Sequence, residues 1–428
     1  MGKITAVAVA TALVLAGCTA GDDGASTSAE ESSSTPTTVL SGPAPGVTDE
    51  AVKVGLTFVD TDSLAAAGVD LDLGDIEGAY RALVDEINAE GGINGRQLDP
   101  VYTPINPIGS EGAEAACVEL AEDEEVFIAA GLFLYDDAMC LVETHGTAVI
   151  GGGITEERLA RATVPWFTPE AGSDLNDDAI RAMAESGEMD GPVAVLVDAA
   201  SADYMEDDVL PLLDELGVDV VESAVQDAPA EDPAAVQTRV RTIAERFESS
   251  GATSVLLLSG AGLQWTTHMA DQPYRPRLLF PQTAGVDAFL QDQSQPDRSL
   301  LEDALAGGPY GPNQAAWEES AMQACIATLE AAGLEVPAPD EVEGEGSPFL
   351  GAFQACPTMA LLRAVLEATG PDLNYGTLRA AGDGLGEVAI PGDPGPRVFG
   401  PGTAADGDPI AYLYAWDTDT EAFVRIDD

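Results

Sequence analysis

The chain has 428 residues, 45% of them hydrophobic, which is enough for two or three compact domains with sizeable cores. Its 75 acids against 17 Lys and Arg leave a formal net charge of −58, and so acidic a chain would repel nucleic acid. The acids are spread along the whole chain, as on a solvated surface suited to a salty exterior, rather than gathered to attract a cationic ligand.

Residues 1–18 stand apart. Lys3 precedes an apolar run from Ile4 to Val14, too short to span a bilayer, so the segment reads as an export signal. Its ending, Leu15-Ala16-Gly17-Cys18, resembles the lipobox of bacterial lipoproteins. The resemblance implies that Cys18 carries lipid and tethers the chain to the outer face of the cell membrane. Residues 19–46 are rich in Ser, Thr, Gly, Pro and acid, which predicts a disordered stalk. Four further cysteines remain: Cys117, Cys140, Cys325 and Cys356. An even number in an exported chain predicts two disulfides. Of the three possible pairings, Cys117–Cys140 and Cys325–Cys356 are favoured because each closes a local loop. There is no CxxC, and His145 and His268 stand alone, so neither a metal site nor a cofactor is expected.

From Val52 the pattern becomes regular. Val52, Val54, Leu56 and Phe58 alternate as a strand that ends in the polar loop Asp60 to Ser63. Ile76, Ala79, Tyr80, Leu83, Val84 and Ile87 recur at helical spacing, and Gly91-Gly92 stops that helix. A strand at Leu98 to Tyr102, a helix through Ala113 to Leu120 and a strand at Val126 to Ala130 follow. After the loop Leu132 to Asp136, a helix over Ala138 to Thr144 leads to the apolar strand Ala148 to Ile150. That strand runs into Gly151-Gly152-Gly153, where a ligand can approach the backbone. Thr155 then serves as N-cap to a helix whose N-terminus is a seat for a small carboxylate. This alternation predicts an α/β fold with an open, doubly wound parallel sheet.

Val164 to Pro169 reads as a crossing into a second lobe. There strands at Val193–Val197, Val218–Val221, Ser254–Leu258 and Arg277–Phe280 alternate with helices. Beyond Gly307-Gly308 come a long helix from Asn313 to Ala332, an acidic Pro/Gly loop from Val336 to Ser347, and a helix from Gly351 to Thr369. Two final strands carry Ile410, Tyr412, Tyr414, then Phe423 and Arg425.

Two α/β lobes joined by several crossings resemble the type I periplasmic binding proteins. The likeness is greatest to the branched-chain amino-acid and amide-binding receptors of ABC importers. Gly91-Gly92-Ile93-Asn94-Gly95-Arg96 is similar to that family's GGINGR segment, and Val149 to Thr155 occupies the place of its ligand-carboxylate loop. Val195 to Asp198 followed by Tyr204 resembles its second-lobe strand and aromatic contact, and Ala355-Cys356-Pro357 also has a family look. The resemblance covers residues 48–428. The expected division is 48–168 with 308–405 in one lobe and 169–307 with 406–428 in the other, hinged near Thr168, Gly307 and Ala405.

In open α/β sheets the ligand lies beyond the carboxyl ends of the strands. That rule selects Asp60 to Ser63, Asn106, Phe133 to Asp136, Gly151 to Thr155, Tyr204, Ser259 to Leu263, and Gln282. The resemblance implies that Tyr135, Gly153 and Thr155 hold a carboxylate while Tyr204 and Gln282 close from the second lobe. The family's amino-acid binders have an acid where this chain has Gln282, and a buried ammonium without an anion is costly. Asp62, Asp136 or Asp203 would have to supply it; Gln282 itself suits an amide or hydroxyl. For Tyr204 and Trp265 the competing reading is core or rim packing. No GxSxG, HExxH or Walker loop occurs, so no enzyme activity is expected. The expected function is that of a monomeric lipoprotein passing an amino acid, amide or short carboxylate to an ABC importer permease. The alternative is a ligand-sensing module acting through a partner membrane protein.

Overall fold

The computed structural model describes residues 44–66, 72–170, 174–229, 232–269, 272–283, 286, 289–290, 297–308, 313–342, 347–401, 405–407 and 410–426. The leader with Cys18, the stalk through residue 43 and part of the acidic loop, 343–346, lie outside them.

The first sheet holds β1 (Ala51–Val59), β2 (Gln97–Ile105), β3 (Ile128–Gly131), β4 (Ala148–Ile150) and β5 (Trp166–Phe167). All pairings are parallel and the order is β2-β1-β3-β4-β5. Successive residues from Val54 to Phe58 are buried, as a strand covered on both faces requires. The Ile76–Ala89 helix buries the six apolar residues of its predicted face, and Asp75 caps it by accepting from Gly78 N–H. Against it pack the Ser320–Ala331 and Phe349–Thr369 helices. The latter is long and apolar enough to cross a membrane, but 67% of its apolar window is buried, as in a core helix.

The GGINGR segment has a structural task. Gly92 takes a positive φ of 75°, and a Cβ there would strike the Arg96 carbonyl. Asn94 Nδ2 donates to Leu366 O at 2.9 Å, and Arg96 Nη1 to Pro371 O at 2.9 Å. The turn thereby fastens the start of β2 to the end of the long core helix.

The second sheet begins with β6 (Pro192–Asp198), β7 (Asp219–Gln226), β8 (Ser254–Leu257), β9 (Arg277–Phe280) and β10 (Leu305–Gly308). The hairpin strands β11 (Gly386–Val388) and β12 (Arg397–Phe399) form a separate pair. The sheet is completed by β13 (Tyr412–Asp417) and β14 (Ala422–Arg425), in the order β14-β13-β10-β9-β8-β6-β7. Within it β13 runs antiparallel to β10 and β14. Alternate residues of β6 serve two cores, Ala194 and Leu196 on one face and Val193, Val195 and Val197 on the other.

Several elements differ from the sequence expectation. Asp60 to Ser63 opens a short helix, Thr61–Ala66, with Ser63 bonded back to Asp60. β5 is a fifth strand of the first sheet, so the chain crosses after Phe167. The long helix breaks at Glu319, whose backbone is extended. The Tyr375–Gly384 helix and the β11–β12 hairpin lie where no regular element is predicted. Both expected disulfides are present, with Cα separations of 6.3 Å for Cys117–Cys140 and 6.1 Å for Cys325–Cys356.

The segment after β5 meets the segment after β12 at the crossings. Thr168 N–H donates to Ala405 O at 2.7 Å. Arg397, 2% exposed, pairs with Asp393 and donates through Nη1 to Asp406 O at 3.2 Å and Glu170 O at 3.4 Å. A buried pair of this kind specifies one arrangement of the crossings, since separating it strands a charge.

Candidate functional site

The carboxyl edge of the first sheet is built around glycine. Gly131 and Gly151 both have φ of 126°, and Cβ atoms there would collide with the Thr57 and Gly131 carbonyls respectively. Three close-packed strand ends thus require these glycines.

The loop that follows β4 is pinned residue by residue. Trp166 Nε1 donates to Gly151 O at 2.8 Å, and Gly152 N–H donates to Glu170 Oε1 at 3.3 Å. Arg158 folds back so that Nη1 donates to Gly153 O at 2.8 Å. Thr155 caps the Glu156–Arg161 helix, its Oγ1 accepting from Arg158 N–H at 3.3 Å. The helix is short, as expected, with six residues, so its dipole is modest. The Gly153 N–H has no partner among the described residues, and both Gly153 and Thr155 are exposed.

Tyr135 joins the same cluster. Its carbonyl accepts from Arg158 Nη2 at 3.4 Å, and its hydroxyl donates to Pro107 O at 3.0 Å, leaving the side chain 55% exposed. Its backbone is left-handed, with φ of 58°. Beside it Asp137 is buried and accepts from Leu134 N–H at 3.0 Å and Ala138 N–H at 2.9 Å. Burial outweighs those donors and pushes the Asp137 carboxyl up to about 6.

Three of the five predicted contact residues, Tyr135, Gly153 and Thr155, are therefore joined through Arg158. That arginine is 24% exposed, stands 5.4 Å from the Trp166 ring centre and lies 3.6 Å from Asp136. Sequence reasoning missed it as a site residue. The available signal was its place three positions after a cap, where a long basic side chain can reach back over the loop.

Tyr204 and Gln282 belong to the second sheet's loops. The Tyr204 hydroxyl donates to Asp177 Oδ1 at 2.7 Å, and burial first, then Asp177, holds its pKa well above the ordinary tyrosine value. Gln282 is half-buried in the bend after β9. Trp265 is fully buried in the second lobe's core. Around Tyr204 the loops are tied by Asp198, which accepts from Ala200, Ser201 and Gly260 N–H groups at 2.8–3.1 Å. Ser259 Oγ donates to Ser201 Oγ at 2.9 Å.

Beneath the glycine loop, at the ends of β1 and β3, lies a cavity of about 260 Å³. Glu170 lines it from the segment after β5, Asp393 from the turn between β11 and β12, and Phe353, Gln354 and Thr358 from the long core helix. Gln354 Nε2 donates to Thr57 O at 3.1 Å, which fixes it over the end of β1.

No protein-family model and no curated protein sequence matches the chain. Solved structures do. A solute-binding protein of an ABC transporter from R. palustris, in complex with 4-hydroxybenzoate, superposes with a TM-score of 0.61 at 18% identity, covering 89% of this chain and 96% of that one. An ABC transporter substrate-binding protein from Desulfitobacterium hafniense, in complex with Leu, gives 0.60 at 14% identity, covering 88% and 100%. A fatty acid ABC transporter substrate-binding protein from Thermomonospora curvata gives 0.57 at 14% identity, covering 90% and 94%. The fold is that of the type I periplasmic solute-binding proteins.

Proposed function

We propose that the protein is an extracytoplasmic solute receptor, tethered by lipid at Cys18, that takes a small polar solute between its lobes and passes it to an ABC importer. One observation carries the reading: a free Gly153 N–H, the Thr155 hydroxyl and the Arg158 guanidinium converge on one exposed loop at the carboxyl edge of the first sheet. The Gly153 N–H and the Thr155 hydroxyl are donors that a carboxylate or amide end needs, while Arg158, held by the Gly153 and Tyr135 carbonyls, shapes the loop and adds positive charge beside them. Tyr204 and Gln282 close over the solute from the second lobe, and only the closed arrangement makes both sets of contacts, so binding favours closure. The site binds without turnover. The fold of transporter receptors and the lipobox-like leader support delivery to a permease.

The test is a calorimetric and thermal-shift screen of short carboxylates, amides, amino acids and hydroxybenzoates. For any solute that binds, Thr155→Ala and Arg158→Ala should each weaken affinity by about 1–3 kcal/mol, with folding intact. Unchanged affinity in both variants would remove this loop from the site.

A further inference from the structure

The cavity beneath the glycine loop is bounded by two carboxyl groups that differ in kind. Asp393 is matched by Arg397, Nε to Oδ2 at 2.6 Å and Nη2 to Oδ1 at 3.3 Å. Among the described residues Glu170 makes no ion pair. Among the described residues its carboxylate receives one hydrogen bond, the 3.3 Å donation from Gly152 N–H. Burial holds its pKa above the ordinary glutamate value, the mark of a charge left without compensation.

The rest of the cavity suits a cation with an apolar body. Leu132, Leu350, Phe353, Pro357 and Ile390 form apolar walls, and among the described residues no Lys, Arg or His lines it. Gln354 spends its Nε2 donors on Thr57 O and the Tyr80 hydroxyl, which leaves Oε1 as a second acceptor. An anion entering here would meet Glu170 with nothing to offset it. An ammonium would supply to that half-buried carboxylate a partner for a charge partly withdrawn from water.

We propose that this cavity binds a small organic monocation, a primary ammonium on an apolar body, with Glu170 as its counter-charge and Gln354 Oε1 as a second acceptor. The site is separate from the carboxylate seat on the loop above, since neither Thr155 nor Arg158 lines it, and it does not depend on that seat being correct.

The experiment is isothermal titration of the full chain with isopentylamine hydrochloride at pH 7 and fixed ionic strength, with 3-methylbutan-1-ol as the uncharged match. Saturable one-site binding of the amine is expected, with the alcohol weaker by at least about 10-fold, as a charge-assisted contact implies. Glu170→Gln preserves size and removes the charge, and should weaken the amine by at least about 30-fold. Asp99→Asn, which removes an exposed carboxylate on β2, should leave binding unchanged. Absence of saturable amine binding, equal binding of the alcohol, or equal losses in the two variants would each overturn the proposal. The comparison of amine with alcohol uses the natural chain alone, so it decides the matter even where a variant fails to fold.

Discussion

The two lobes share a winding and differ in what holds their functional edges. In the first, five parallel strands end at a loop fixed by a buried indole, a half-buried carboxylate and a folded-back arginine, and two disulfides staple the helices behind it. In the second, an antiparallel pair closes one edge of a seven-stranded sheet, and the loops are held by short caps from Asp198 and a Ser259–Ser201 bond. Covalent and buried restraints give the first lobe a preset surface. Partly exposed polar bonds, which water can replace, leave the second lobe easier to adjust. The lesson is that two sheets of similar winding can carry edge loops of different rigidity.

The largest expected effect tests that contrast directly. Cys117→Ala with Cys140→Ala opens a link spanning a sequence separation of 23 residues, and should cost about 3 kcal/mol through the entropy of the unfolded chain. Amide hydrogen exchange should show the loss concentrated in the first lobe. Equal loss of protection in both lobes would erase the distinction.

Much of this architecture was legible beforehand, because it rests on periodicity. The alternation in β1 and the six-residue face of the Ile76–Ala89 helix are core patterns, and the disulfide pairing followed from locality. Arg158 was not singled out, because its place three positions after the Thr155 cap is an ordinary helical one, and its value arises only when the side chain folds back to the Gly153 carbonyl. Glu170 was hidden for another reason: one acid among 75 carries no mark of a place at a cavity wall. The Tyr375–Gly384 helix was obscured by three internal or terminal glycines and a weak apolar stripe. Its capping box, with Asn374 and Thr377 bonded reciprocally, was the signal available.

A smaller effect concerns protons. The Asp137 carboxyl is pushed from 3.8 to about 6 by burial, so between those pH values the native state holds a proton that the unfolded chain has lost. Stability attributable to this group therefore falls as pH rises through that window and levels off above it. Asp137→Asn should flatten the slope, with a difference on the order of 2 kcal/mol accumulated between pH 4 and 6.5. The general relief of acid–acid repulsion at low pH is common to both proteins and cancels in the comparison. Denaturation midpoints against pH measure it, and parallel curves would contradict a buried Asp137 charge.

The smallest effect probes the adjustable lobe at Tyr204. Its hydroxyl joins the segment after β6 to the Asp174–Glu185 helix through Asp177, while the ring packs beside the second-lobe core. Tyr204→Phe removes only the hydroxyl bond and should cost about 1 kcal/mol of stability, the net worth of one such bond. If the ring is what meets the solute, Phe keeps affinity within about 2-fold while Tyr204→Ala loses about 10-fold, because the contact is area rather than hydrogen bonding. If the hydroxyl reaches the solute in the closed form, Phe and Ala lose affinity alike, and the Asp177 bond must then break on closure. Loss in neither variant would assign Tyr204 to holding its lobe together. Under the contrast drawn above the first pattern is expected, with a solute seated by fixed donors on one side and covered by an aromatic face on the other.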